Sequence, residues 1–120
     1  MIDVWKDVAE HSVWIIYASK THRNGMSFDD ILPQLNNSIR KVMNRFPIKR
    51  SAIVATGFSG GGMCAHALTQ RYPRLIRAVL SNTGMIHEVF TKEAHKYPRN
   101  KIAVFLASPT DFRYDAMQCD

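Results

Sequence analysis

Gly57-Phe58-Ser59-Gly60-Gly61 sets a serine between glycines two positions before and two positions after it, with one more glycine at Gly62. A serine that attacks a carbonyl has to project from a tight strand-to-helix turn, where the backbone is strained and the flanking positions leave no room for side chains. Gly57 and Gly61 meet both requirements. A helix that follows directly points its first amides at the reacting oxygen, and the backbone N–H of Gly60 is placed to donate to an oxyanion. The chemistry this serves is nucleophilic acyl transfer through Ser59. Three specified positions at about 7% average usage match by chance in roughly one chain in 25 of this length, so the surrounding elements must carry the rest. A Walker-type phosphate loop ends in Gly-Lys-Ser or Gly-Lys-Thr and a dinucleotide fingerprint spaces its glycines differently, and neither pattern is present.

Ser108-Pro109-Thr110-Asp111 is the second cluster, directly after the last apolar run. Where a triad runs in the order serine, acid, histidine, the acid sits at the end of a strand. Asp111 occupies that place, with Asp115 as the alternative. Its role would be to orient an imidazole through the ring N–H and to stabilise the imidazolium that forms. An Asp beside Pro and Thr is also an ordinary turn residue or helix N-cap. The base should come later still, yet His11, His22, His66, His87 and His95 all precede Asp111. His66 lies seven residues beyond Ser59, about two helical turns along, so it is expected to pack or cap rather than accept the serine proton. His87 and His95 fall in a connection, where a surface position is the expectation.

The elements needed to position these residues follow from periodicity. Residues 3–11 carry Val4, Trp5, Val8 and Ala9 at helical spacing, and residues 13–17, Val-Trp-Ile-Ile-Tyr, read as a buried strand. A polar loop over 19–27 contains the Asn24-Gly25 turn signal. Ile31, Leu35, Ile39, Val42, Met43 and Phe46 then form a helical stripe, with Pro33 tolerable in the first turn if Asp30 is the N-cap. Further strands are expected over 52–56, 75–81 and 102–107, with a helix over 61–72 and a poorly patterned helix or loop over 86–97. Four nearly continuously hydrophobic strands alternating with helices predict an α/β fold, with a parallel sheet covered on both faces.

Composition excludes several classes. With 120 residues, 46% hydrophobic and 22% charged, the chain is one domain at most, and disorder, collagen and coiled coil do not fit. Sixteen Lys and Arg against ten Asp and Glu leave a net charge of +6. The basic residues gather at Lys49-Arg50 and at Arg71, Arg74 and Arg77, where helices end, which favours a helix C-terminus and needs no nucleic acid. Cys64 and Cys119 have neither disulfide-framework nor metal spacing. No apolar run approaches membrane length and the opening residues do not form a secretory signal, so a soluble protein without nucleic-acid or membrane partners is expected.

Gly57-Phe58-Ser59-Gly60-Gly61-Gly62-Met63, the helix through Ala65-His66-Ala67 to Tyr72-Pro73, the strand ending in Ser81-Asn82-Thr83-Gly84, and Ser108-Pro109-Thr110-Asp111 together resemble the central part of an α/β-hydrolase-fold serine esterase or peptidase. The resemblance implies a three-layer αβα arrangement with about four of the fold's strands. It also implies hydrolysis of a small-molecule carboxylic ester or amide by Ser59 and Asp111 with Gly60 in the oxyanion hole, and no cofactor or metal. It places the second oxyanion-hole amide before Met1 and the histidine beyond Asp120, so residues 1–120 are expected to be a partial domain, weak or dead in isolation. The alternative from another class is a non-catalytic α/β binding module whose glycine-rich turn holds an anion at a helix N-terminus.

Overall fold

A computed structural model describes residues 2–87, 92, 96–112 and 114. Helix α1, Ile2–Ser12, opens with Asp3 in its first turn and ends with His11, whose Nδ1 lies 2.9 Å from the Asp7 carbonyl oxygen. Helix α2, Phe28–Arg45, starts at Ser27, where the hydroxyl accepts the Asp29 N–H at 3.2 Å. The cap is therefore Ser27 and not Asp30, because serine satisfies an orphan amide here and leaves Asp29 and Asp30 in the first turn to favour the helix dipole. Pro33 then stands at the sixth helical position, past the first turn. Its ring faces solvent, where water can take the Asp29 carbonyl that loses its helical donor.

Three strands form one parallel sheet in the order β1-β2-β3: β1 is Val54–Phe58, β2 Ala78–Asn82 and β3 Ile102–Leu106. Helix α3, Gly60–Arg71, follows β1 after the single residue Ser59. The register aligns Phe58, Asn82 and Leu106, so the three strands end level with one another. Along β1 the side chains alternate, and Ala55 and Gly57 turn to the covered side with Val79 and Ser81 of β2. The core lies on that side: Ala65, Ala67 and Leu68 of α3 meet Leu75, Ile76, Val79 and the α2 residue Leu32, with Leu35, Ile39 and Met43 packed around them.

Two expectations change. On the opposite face Val54, Ile102, Val104 and Leu106 are exposed, so among the described residues the sheet is covered on one face only. Residues 13–17 are not a strand of this sheet, which leaves three strands in place of about four. The reason begins at Val13, which takes a left-handed φ of 54° while the Trp14 N–H donates to the Ala9 carbonyl at 2.9 Å. That is the hydrogen bond of a helix C-terminal cap, with valine in the position glycine normally fills. The segment after it lines the same cleft as β1 and has no ladder partner among the described residues.

Replacing Ser27 with Ala removes the α2 cap. Chemical denaturation should report a loss of about 1 kcal/mol with an unchanged denaturant slope.

Candidate active site

Ser59 joins β1 to α3 with φ 52° and ψ −120°, a conformation that is costly for any residue with a side chain. Three backbone hydrogen bonds hold it there. The Ser59 N–H donates to the Asn82 carbonyl at 2.8 Å, tying the turn to the end of β2. The Ser59 carbonyl accepts from the Gly62 N–H at 2.9 Å and the Met63 N–H at 3.1 Å, which starts α3. The side chain is left exposed at the rim of the sheet.

The glycines around it have distinct reasons. A Cβ on Gly57 would overlap the carbonyl of Gly61 and come within 2.6 Å of Gly62 N, so the helix can start this close to the strand only over a glycine. A Cβ on Gly61 would meet nothing within 4 Å. The second glycine of the motif is thus not required for its own missing side chain, contrary to the reading from spacing, because the close contact is made by its backbone against Gly57. Gly62 and Gly84 pack on each other and on Ser81: a Cβ on Gly84 would come within 2.7 Å of Gly62 Cα and 2.8 Å of the Ser59 carbonyl oxygen. Ser81 is fully buried beneath the turn and donates to the Gly84 carbonyl at 2.7 Å.

Asp111 lies at the same edge of the sheet. The Thr83 N–H donates to the Leu106 carbonyl at 2.7 Å, and the chain leaves β3 into a turn closed by the Asp111 N–H on the Ser108 carbonyl at 2.9 Å. Within it the Ser108 and Thr110 hydroxyls are 2.9 Å apart. Ser59 and Asp111 follow strands separated by β2, and the ends of those two strands lie about 10 Å apart across the ladder. Asp111 is half-buried; Asp115, Cys119 and His95 lie outside the described residues.

None of the described histidines is seated between the two. His66, on the buried face of α3, is stacked on Phe105 at 4.6 Å and 14°, with Nδ1 2.9 Å from the Tyr97 hydroxyl. Among the described residues its Nε2 is buried without a partner. A proton added there would bury a charge and an unmet donor, and burial lowers its pKa from 6.5 to about 4. Burial likewise raises the Tyr97 hydroxyl from 10.0 to about 12. His87 packs edge-on against Phe28, ring centres 5.4 Å apart, and His22 bonds the Ser19 hydroxyl. His11 is exposed on α1.

A cleft of about 2010 Å³ runs past Ser59 and Gly60, lined also by Asn24, Phe28, His87 and Trp14. Asn24 is a residue that spacing marked only as half of a turn signal; its carboxamide sits directly against Gly60. Phe58 is exposed at the end of β1, so it is not part of the core. Among the described residues no group of His, Cys, Asp and Glu is placed to hold a metal ion, and no helix is long and apolar enough to cross a membrane.

Comparison with known families finds one model, described as phospholipase/carboxylesterase, matching residues 12–110. No curated protein and no solved structure matches the chain.

Gly57→Ala should lower stability by about 1–3 kcal/mol, since the turn has to open, whereas Gly61→Ala should leave it unchanged or raise it by up to about 1 kcal/mol. Urea unfolding of the two variants separates these outcomes. The buried His66 adds a pH dependence. Unfolded, the imidazole takes up a proton near 6.5; folded, only near 4. Between those values the unfolded chain binds more protons, so stability falls as pH drops from 6.5 towards 4 and this contribution is flat above. His66→Phe, which keeps a ring against Phe105, should remove that slope in a stability-versus-pH series.

Proposed function

Since the chain belongs to the phospholipase/carboxylesterase family, whose members are hydrolases of the esterase type, and its three parallel strands and three helices are consistent with part of a three-layer α/β-hydrolase fold, we propose that it cleaves small-molecule carboxylic esters with Ser59 as nucleophile. The observation that carries this reading is the strained backbone of Ser59, φ 52° and ψ −120°, between the end of β1 and the start of α3. That conformation costs on the order of 1–3 kcal/mol and is kept where a side chain must be presented to a reactant. It supports a nucleophile elbow, since a turn that served only to connect β1 to α3 would settle in a relaxed conformation.

The mechanism follows from the groups on the rim. Ser59 Oγ forms a bond to the ester carbonyl carbon as its proton passes to an imidazole, and the carbonyl electron pair moves onto oxygen. The Gly60 N–H, at the first position of α3, donates to that oxyanion, with the positive end of the helix behind it. Collapse of the tetrahedral intermediate expels the alcohol, which takes the proton back from the imidazolium. Water repeats the sequence on the acyl-enzyme. Asp111 orients the imidazole, and in this reading the imidazole comes from a segment outside residues 1–120, because no histidine follows Asp111 within them. Amide cleavage would use the same groups with an amine as leaving group.

A fluorophosphonate probe should label the full-length protein at Ser59, and Ser59→Ala should abolish labelling. Asp111→Asn should slow it by about three to four orders of magnitude, through the wrong imidazole tautomer. Undiminished labelling of the Ser59→Ala variant contradicts the assignment of the nucleophile.

A further inference from the structure

We propose that Asn24 is a side-chain donor of the oxyanion site, its carboxamide turning to aim an N–H, beside that of Gly60, at the oxygen that becomes negative. The proposal rests on the reading of Ser59 as nucleophile and goes beyond it by naming a residue from a different element. The Gly-x-Ser-x-Gly pattern leaves the residue after the serine free, yet here it is glycine. Its backbone does not ask for one, because Gly60 has an ordinary negative φ, unlike Gly25. The requirement is spatial. A Cβ on Gly60 would overlap Asn24 Oδ1 and lie 2.9 Å from Cγ and 3.3 Å from Nδ2. Glycine at 60 makes room for a carboxamide beside the amide that faces the reacting oxygen.

The loop that brings Asn24 there is shaped for delivery. The Met26 N–H donates to the Arg23 carbonyl at 3.3 Å, and Gly25 takes φ +88° with open space around it, so its conformation rather than crowding calls for glycine. Ser27 then caps α2, which fixes the loop's far end. Neither the Asn24 carboxamide nor the Gly60 N–H is engaged by another group among the described residues. Asn24 is exposed to the cleft that Ser59 and Gly60 also line, so turning about its Cβ–Cγ bond brings either end of the amide to the site. A hydrogen bond that strengthens as charge develops lowers the barrier without holding the ground state, and no proton leaves the carboxamide.

The test is steady-state hydrolysis of p-nitrophenyl acetate by the full-length protein, comparing wild type with Ser59→Ala, Asn24→Ala and Asn24→Asp. Loss of one oxyanion donor typically costs about 100- to 1000-fold in kcat. Asn24→Ala should fall in that range with KM unchanged, and Asn24→Asp should fall further at neutral pH, since it sets a negative charge where another develops. The excess loss in Asn24→Asp should shrink as pH is lowered and the new carboxyl takes up a proton, a readout that a purely structural loop residue would not move. A kcat within about threefold of wild type in both Asn24 variants, while Ser59→Ala is dead, overturns the role of Asn24 and leaves Ser59 in place. Full turnover by Ser59→Ala overturns the nucleophile, and the oxyanion assignment falls with it.

Discussion

The rest of the molecule depends on the approach of α3 to the end of β1. The helix starts one residue after the strand, so the chain reverses over Ser59 alone, and the Gly61 carbonyl comes to rest where a Gly57 side chain would be. Such a turn is possible only with Ser59 in an unfavourable conformation. The strain is offset by hydrogen bonds that the geometry itself makes available, from the Ser59 N–H to Asn82 and from Gly62 and Met63 to the Ser59 carbonyl. Beneath it, Gly62, Gly84 and the buried Ser81 leave no slack into which the turn could relax.

The parallel register spreads this local constraint along the sheet edge. Because Phe58, Asn82 and Leu106 are aligned, everything that follows the three strands gathers at one end: the serine turn, the Thr83-Gly84 corner and the Ser108–Asp111 turn. Thr83 links the second to the third by its bond to Leu106. Ser59 and Asp111, which stand 52 positions apart in the chain, are thereby brought to the same end of the sheet. His66 serves the same end from below, filling the space between α3, Phe105 and Tyr97 as a neutral ring.

Much of this is legible in the chain before any coordinates. Strand, glycine-flanked serine and helix declare themselves because the turn is chemically restrictive, and β3 reads clearly because five apolar residues run without interruption. The Val-Trp-Ile-Ile-Tyr run misleads for a physical reason: periodicity reports what a segment can form, and a strand also needs a neighbour to pair with. With Val13 drawn into the cap of α1, the run has none among the described residues. The cap of α2 is hidden by three competing residues within four positions, Ser27, Asp29 and Asp30, of which Ser27 lies first. Gly61 looks obligatory by spacing, although it is the partner of the constraint at Gly57 rather than its site. Asn24 could not be found from spacing at all, since its contact with Gly60 joins a loop and a helix 36 positions apart; the only trace is a glycine at a position where the motif allows any residue.

In the proposed function, the strained turn presents Ser59 to an acyl group. The most direct measurement of this is acid-quench mass spectrometry of the full-length protein mixed with an activated carboxylic ester, followed by peptide mapping. The expected result is a transient mass increase of one acyl group, carried by the peptide that contains Ser59. Turnover of the ester with the acyl group on another residue, or with none trapped while Ser59→Ala turns over equally well, would contradict it.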